Sequence, residues 1–390
     1  MQTAETKRKS YVEEVFEGKI QSSVAEKLNA YQNDIEISKE EIKTIHSTFN
    51  IHELSLLALK RRFLLNRDKI VTFLIDRNIN YTNICVTECK FCAFYRFPDE
   101  KDSYVLSYEA IARKIEELLK YGGTRILLQG GHNPKLRLSY YIDLLTFIKK
   151  NFPAINIDGF SPSEIEFISR VEKMDIESVL KELKKAGLDG LPGGGAEILV
   201  DRIREVIAPK KQKSESWLDV MEIAHKLNLT TTATMVIGFG ETFDERLEHL
   251  EKIRILQKKS VSRGSKGFIS FILWTAQHHN TRLSHLKYTD NFYTTAYDYL
   301  EMVAISRIFL NNIVHIGASW PTMGEKIASI ALLYGADDFG GTMIEENVVS
   351  QASPSYKTFM KPSEIISSIK SAGFIPAQRD SNYNILKIYE

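Results

Sequence analysis

Cysteine is scarce in this 390-residue chain: only positions 85, 89 and 92 carry it. An odd number without a distant partner excludes a disulfide framework and indicates a reducing compartment. Long apolar runs are also missing, since no stretch approaches the roughly 20 residues that a membrane-spanning helix needs. The polar start, residues 1–5, lacks the apolar segment of a signal peptide. We therefore expect a cytoplasmic protein without a membrane partner.

An excess of charge of one sign is missing too. The chain has 51 Lys and Arg against 50 Asp and Glu, so its formal net charge is +1. Proteins dedicated to nucleic acids carry a basic face or arm. We therefore do not expect a nucleic acid as a partner of this chain. The length and the 43% hydrophobic content allow a large core, which suits one big α/β domain with additions or two ordinary domains.

From residue 78 onward, short apolar strands alternate with amphipathic helices, a pattern typical of a parallel sheet covered by helices. Eight such alternations, the first strand at 79–84 and the last at about 339–344, predict a (β/α)8 TIM-type barrel. Apolar residues at helical spacing over 10–65 predict an N-terminal helical extension. We divide the chain into this extension (1–75), the barrel (76–352), and a C-terminal helix with an extended tail (353–390).

The three cysteines form the most specific motif, Cys-x3-Cys-x2-Cys. One tight loop with this spacing can hold a cubic iron–sulfur cluster by three thiolates, whereas an electron-transfer cluster normally takes four. A structural zinc site is an alternative, but such sites usually combine two distant pairs of ligands. Three buried core cysteines are a further alternative. The vacant fourth position favours a cluster that binds a substrate or cofactor.

Polar residues follow several predicted strands, where the active site of a barrel lies. After strand two, Gln129-Gly130-Gly131 would let the backbone approach a ligand closely, although a glycine pair is also a common turn. Segment 192–197 lacks the spacing of a phosphate loop. It forms either a glycine wall beside a ligand, with Glu197 free to bind a ribose, or a turn that opens a helix. Glu164, after strand three, is either a second ribose ligand or a helix cap.

Two later strand ends carry paired polar residues. His278 and His279 lack an acidic partner at metal-ligand spacing, so they either bind substrate or lie on the surface. Glu345 and Glu346 are the candidate catalytic bases. Successive side chains of an extended segment alternate in direction, so only one of the two would face the barrel mouth.

The cysteine motif, with Phe91 before its third cysteine and Ala93-Phe94-Tyr95 after it, resembles the cluster loop of radical S-adenosylmethionine (SAM) enzymes. The resemblance implies a 4Fe–4S cluster held by Cys85, Cys89 and Cys92, whose open iron chelates SAM. An electron from the reduced cluster then cleaves SAM to a 5′-deoxyadenosyl radical. The cofactor-binding residues that we assign are Phe91, Gln129, Gly130, Gly131, Glu164, Gly194 and Glu197.

Segments 80–96, 187–201 and 343–349 resemble the futalosine and deazaflavin branch of these enzymes, and segment 235–242 is similar to its cyclic dehypoxanthine futalosine synthases. The other members of the branch tend to carry Gly-His where this chain has Gly238-Phe239. The resemblance implies a step of menaquinone biosynthesis, in which hydrogen abstraction from ribose C4′ of dehypoxanthine futalosine is followed by attack on the benzoate ring. Glu345 or Glu346 would take the departing proton.

The same resemblance implies a flavodoxin or ferredoxin as the reductant, and a cation for the substrate carboxylate, for which Arg96 and Arg137 are candidates although lone arginines are usually solvated or paired. Two alternatives stay open. An aminofutalosine synthase would add the adenosyl radical to an enol ether. A non-catalytic iron–sulfur protein would serve as a redox carrier or scaffold.

Overall fold

The computed structural model describes residues 36–66, 68–286, 292–353 and 357–390. Within these residues the strands are β1 Ile70–Leu74, β2 Asp76–Asn80, β3 Arg125–Gln129, β4 Asn156–Gly159, β5 Gly190–Leu191, β6 Thr230–Ile237, β7 Phe268–Thr275, β8 His315–Gly317, β9 Asp338–Gly341, β10 Ile375–Arg379 and β11 Ile385–Ile388. The helices are α1 Lys39–Thr48, α2 Ile51–Leu65, α3 Tyr108–Lys120, α4 Leu138–Asn151, α5 Pro162–Glu172, α6 Ile176–Ala186, α7 Asp201–Ile207, α8 Ser214–Lys226, α9 Phe243–Ser262, α10 Ala296–Phe309, α11 Trp320–Ala331, α12 Val348–Ala352 and α13 Pro362–Ser371.

The strands form one sheet in the order β11-β10-β1-β9-β8-β7-β6-β5-β4-β3-β2. Its neighbours pair in parallel, except that β11 runs antiparallel to β10. The ring closes where the chain beyond β9 meets β2: Arg77 bridges to Ile344, and the amide of Asn78 donates to the Ile344 carbonyl at 2.9 Å. The predicted TIM-type barrel is therefore confirmed.

Local signals in the sequence set the helix boundaries. In α6, the Asp175 side chain accepts a hydrogen bond from the Ser178 amide at 2.8 Å, and Gly187 ends the helix at φ 118°. Between these caps, Val179, Leu180 and Leu183 are fully buried. The apolar face of the helix thus covers the sheet, as its spacing predicts.

The first barrel strand lies earlier than the predicted residues 79–84. Strands β1 and β2 occupy 70–74 and 76–80, and the chain then leaves the sheet because Thr82 and Asn83 donate to loop carbonyls at 2.6 and 2.9 Å. Strand β2 has the sequence Asp-Arg-Asn-Ile-Asn. These buried polar residues concealed it from a search for apolar runs.

The C-terminal tail continues the sheet. Strand β10 pairs with β1 and β11 pairs with β10, so residues 375–388 extend the sheet. At the other end, α1 and α2 agree with the predicted helical extension, whereas its part before residue 36 lies outside the described residues. The three-part division of the chain stays a prediction. None of the helices in the described ranges combines the length and apolarity that crossing a bilayer requires.

Candidate active site at the barrel mouth

The cysteine loop is held in place by backbone hydrogen bonds to three other segments. The amide of Cys85 donates to Arg96, that of Val86 to His132, and that of Lys90 to Ile207, at 3.0, 3.2 and 2.8 Å. Cys89 is buried, while Cys85 and Cys92 are half-buried, and none forms a disulfide. Burial raises the pKa of the Cys89 thiol to about 12, and it also raises the pKa of Cys92.

These residues fit a multi-iron cluster. Three soft sulfur donors on one loop are the donor set of iron–sulfur centres. Among the described residues, no group of three His, Cys, Asp or Glu side chains is arranged to hold a single metal ion. Gly131 permits the close approach of the next loop, because a Cβ at this position would lie 2.8 Å from Cys85 Cβ and 2.2 Å from the Ile84 carbonyl oxygen.

Glu164 is buried behind the glycines that follow β3. One carboxylate oxygen accepts from the Tyr81 hydroxyl at 2.8 Å and the Gly130 amide at 3.0 Å, and the other accepts from the Ser161 hydroxyl at 2.8 Å. Burial raises the pKa of Glu164 to about 7, against these hydrogen bonds. The predicted Gln129–Gly131 and Glu164 sites are therefore neighbours, and Glu164 fixes the glycine backbone.

Glu197 lies between two cations at the mouth. It is 2.6 Å from the Lys211 ammonium and 3.4 Å from an Arg204 guanidinium nitrogen. The Lys211 ammonium also lies 5.5 Å from the centre of the Phe91 ring. The glycine wall, residues 193–195, lies beside them: a Cβ at Gly195 would come within 3.5 Å of the Lys211 side chain. This pair of cations brings positive charge to the cysteine loop.

A cavity of about 300 Å³ runs down the barrel axis from this mouth. Gln129, Gly194 and Glu197 line its upper part, and Glu346 also reaches it. The Glu346 carboxylate accepts from the amides of residues 348, 349 and 350 at 2.8 to 2.9 Å. Glu345 instead lies outside this cavity, ion-paired with Arg77 and Lys114. One member of the predicted pair therefore faces the barrel interior.

Comparison with known proteins identifies the family. Residues 79–253 match the model of the radical SAM superfamily, and residues 265–390 match the CofH/MqnC C-terminal region. The chain is 44% identical to a cyclic dehypoxanthine futalosine synthase of Halalkalibacterium halodurans, over 92% of this chain and 94% of the relative. This chain belongs to the radical SAM superfamily. Membership implies a 4Fe–4S cluster and SAM as cofactors.

Other relatives also align with this radical SAM chain over most of its length. A cyclic dehypoxanthine futalosine synthase of Streptomyces coelicolor is 42% identical over 91% of this chain and 86% of its own length. An aminodeoxyfutalosine synthase of Thermus thermophilus is 36% identical over 82% and 84%. The solved structure of methylornithine synthase superposes with a TM-score of 0.68 at 15% identity, over 91% of this chain and 97% of that one. That structure supports the fold alone.

The two arginines that we considered as partners for a substrate carboxylate instead bind other groups of this chain. Arg96 donates to Asp102 at 2.6 Å and to three loop carbonyls, so it shapes the cysteine loop. Arg137 is exposed and pairs with Glu172 at 2.9 Å. Neither arginine lines the axial cavity.

The paired histidines lie in different surroundings. His278 packs against the Phe292 ring, with 4.2 Å between the ring centres, and His279 is exposed.

Lys211 and Arg204 are the mouth residues that sequence reasoning missed. Lys211 belongs to the run Lys-Lys-Gln-Lys at 210–213, which resembles an ordinary solvated charge cluster. Its side chain is nevertheless only 9% exposed. Its position in the sequence could have indicated a place at the mouth, because the run follows the glycine wall and the short helix α7.

Proposed function

We propose that this protein is a cyclic dehypoxanthine futalosine synthase of the futalosine route to menaquinone. The observation that carries the proposal is the 44% identity over nearly the whole length of a synthase with this activity. The cysteine loop, the glycine backbone and the buried carboxylates meet at the carboxyl end of the barrel strands, where enzymes of this fold act. This arrangement supports a catalyst rather than a redox scaffold.

The cofactor assignments are part of the proposal. Cys85, Cys89 and Cys92 would hold three irons of a 4Fe–4S cluster, and Phe91 would pack beside it. Gln129, Gly130, Gly131 and Gly194 would bring their backbone close to SAM. Glu164 would fix the Gly130 backbone from behind, and Glu197, which lines the cavity, would bind the ribose of SAM. When bound, the reduced cluster and SAM supply a 5′-deoxyadenosyl radical that removes a hydrogen atom from the substrate.

The substrate would lose a hydrogen atom at ribose C4′, and C4′ would bond to the benzoate ring. The ring would then regain its aromaticity by giving a proton to a base and an electron to the oxidised 4Fe–4S cluster. Of the two candidate bases, Glu346 is favoured because it lines the axial cavity. Burial raises the pKa of Glu346, which favours proton uptake. Glu345 is the weaker candidate, since Arg77 and Lys114 hold it outside that cavity.

Phe239 supports the choice within the branch. Its ring lies 5.7 Å from the Phe91 ring of the cysteine loop. The adjoining turn is built around Glu241, which accepts from the Gly238 and Phe239 amides at 2.9 and 2.7 Å. The residue that distinguishes Gly-Phe from Gly-His sequences therefore contacts the predicted cluster loop. We also propose a flavodoxin or ferredoxin as the reductant, and a cytoplasmic location from the cysteine usage.

The deciding experiment is an anaerobic assay of the reconstituted, reduced protein with SAM and dehypoxanthine futalosine, followed by mass spectrometry. We expect deoxyadenosine together with a product lighter than the substrate by two hydrogens. Deoxyadenosine with unchanged substrate would reject the cyclase and direct the next assay to the enol ether of an aminofutalosine synthase. If protein with a complete cluster formed no deoxyadenosine, the proposal would be rejected in favour of a non-catalytic iron–sulfur protein.

A further inference from the structure

The axial cavity ends on a charged floor, which we define as Arg125, Asp158, Asp338 and Arg379. Arg379 donates to the two carboxylate oxygens of Asp338 at 2.5 and 3.0 Å. Arg125 donates to Asp158 at 3.1 Å and also to Asp76. The Arg125 pairs join β2, β3 and β4, and the Arg379 pair joins β9 to β10, so both halves of the floor are fixed.

Four polar atoms on or beside this floor have no hydrogen-bond partner among the residues that the structure describes. They are Asp158 Oδ1, Asn78 Oδ1, Arg125 Nε and Ser381 Oγ, and each is buried. All four residues line the cavity. Native proteins rarely leave buried polar atoms unpaired. A group of them around one cavity therefore indicates a polar ligand or ordered water.

The charges select the kind of ligand. Around the floor, within the described part of the chain, the three carboxylates of Asp76, Asp158 and Asp338 pair with two guanidinium groups, those of Arg125 and Arg379. Burial raises the pKa of Asp158, while Arg125 opposes the shift. An added carboxylate would meet an excess of negative charge here. The unpartnered carboxylate and amide oxygens instead suit neutral hydroxyl donors.

We propose that the floor is a hydroxyl-binding subsite, in which Asp158 Oδ1 and Asn78 Oδ1 accept hydrogen bonds from the sugar end of the substrate. The inference rests on the proposed function, whose substrate has ribose hydroxyls at one end and a benzoate at the other. Phe160, two residues beyond Asp158, marks the level of the mouth, because its carbonyl accepts a hydrogen bond from the mouth residue Gln129 at 3.0 Å. A strand rises about 3.3 Å per residue, so the floor lies about 7 Å below the mouth.

This spacing lets one sugar ring reach both levels. Its hydroxyls bind the floor while C4′ faces the cofactor end of the cavity. The benzoate then lies against the apolar wall, to which Trp274, Trp320 and Met343 contribute. Gly190 makes the subsite possible, because a Cβ there would lie 2.2 Å from Asp158 Oδ1 and displace the carboxylate.

The test compares binding of dehypoxanthine futalosine with its 2′-deoxy and 3′-deoxy analogues to the anaerobic, unreduced holoenzyme with SAM, by calorimetry. We expect the wild type to bind at least one analogue roughly tenfold to a hundredfold more weakly. Asn78→Ala and Asp158→Asn should each bind the parent more weakly and lose most of this discrimination. Two variants are used because Asp158→Asn also weakens the Arg125 ion pair.

Asn156→Ala is the matched control. Asn156 precedes Asp158 on β4 and has a buried unpartnered oxygen, but it does not line the cavity, so discrimination should stay at the wild-type level. Undiminished discrimination in both floor variants, with substrate still converted by the wild type, would mean that the floor holds only water and would overturn the subsite alone. A wild type that neither binds nor converts the substrate would overturn the proposed function and the subsite together.

Discussion

The ammonium of Lys211 lies 2.6 Å from a carboxylate oxygen of Glu197, and the two side chains are 9% and 8% exposed. Burial opposes the charge on Lys211, but the Glu197 carboxylate raises the pKa of Lys211, so the ammonium stays protonated. Arg204 approaches the other Glu197 oxygen at 3.4 Å. Of these two cations, Lys211 is the one beside the cysteine loop, because its ammonium lies 5.5 Å from the centre of the Phe91 ring.

We predict that Lys211 contributes to the binding of the anionic carboxylate of SAM. Lys211→Met should weaken SAM binding about tenfold to a hundredfold, because a buried charge-assisted contact is lost, while the iron content stays near that of the wild type. Equilibrium dialysis of labelled SAM and iron analysis would measure both. Lys210→Met is the control, since this neighbour is 57% exposed and pairs with Glu88. Equal SAM affinity in the two variants would contradict the prediction.

Each cysteine should be required for the cluster. Cys85→Ser, Cys89→Ser and Cys92→Ser should retain less than about a third of the iron after anaerobic reconstitution, because hydroxyl oxygen is a poor ligand for these irons. The chain has no other cysteine to substitute. Absorbance near 400 nm, iron analysis and circular dichroism would separate cluster loss from unfolding. Full iron loading in a folded single variant would remove that cysteine from the proposed ligand set.

Glu164 should make stability depend on pH. Its pKa is raised from 4.5 to about 7 by burial, so the folded state favours the protonated carboxyl. The stabilisation from this group is present below about pH 4.5 and is lost as pH rises through about 7, a change of about 3 kcal/mol. Glu164→Gln cannot ionise and should lose less stability than the wild type between pH 5 and 8, measured by urea unfolding.

The exposed Glu177, which pairs with Lys181 at 2.7 Å, offers the control for this comparison. Glu177→Gln should follow the wild-type pH profile. If Glu164→Gln did so as well, the carboxyl of Glu164 would have an ordinary pKa and its burial would not control its ionisation.

The sequence could predict the features that depend on local patterns, and it could not predict those that depend on contacts between distant residues. The barrel, the helix caps such as Asp175, and the approach of Gln129–Gly131 to Glu164 follow from periodicity and from the rule that strand ends converge. Lys211 could not be predicted, because its burial depends on the glycine wall and the cysteine loop. The floor pair Arg379–Asp338 joins residues 41 positions apart, and no local pattern predicts such a contact.

That floor pair should make the C-terminal hairpin essential for stability. Arg379 and Asp338 are 7% and 3% exposed, so Arg379→Met would leave a buried carboxylate without its cation. Removing one partner of a buried pair typically costs about 3 to 5 kcal/mol. Urea unfolding should show a loss of this size, and Arg379→Met combined with Asp338→Asn should recover part of it, because the unpaired charge is then gone.

Lys387→Met on the exposed strand β11 is the matched control and should change stability by less than about 1 kcal/mol, as surface substitutions usually do. A loss of the same small size in Arg379→Met would mean that water reaches Asp338 and compensates for the missing guanidinium. The floor would then be hydrated from below, and the hairpin would not seal the barrel. A large loss that the double variant partly reverses would instead establish that the hairpin closes the cavity through this ion pair.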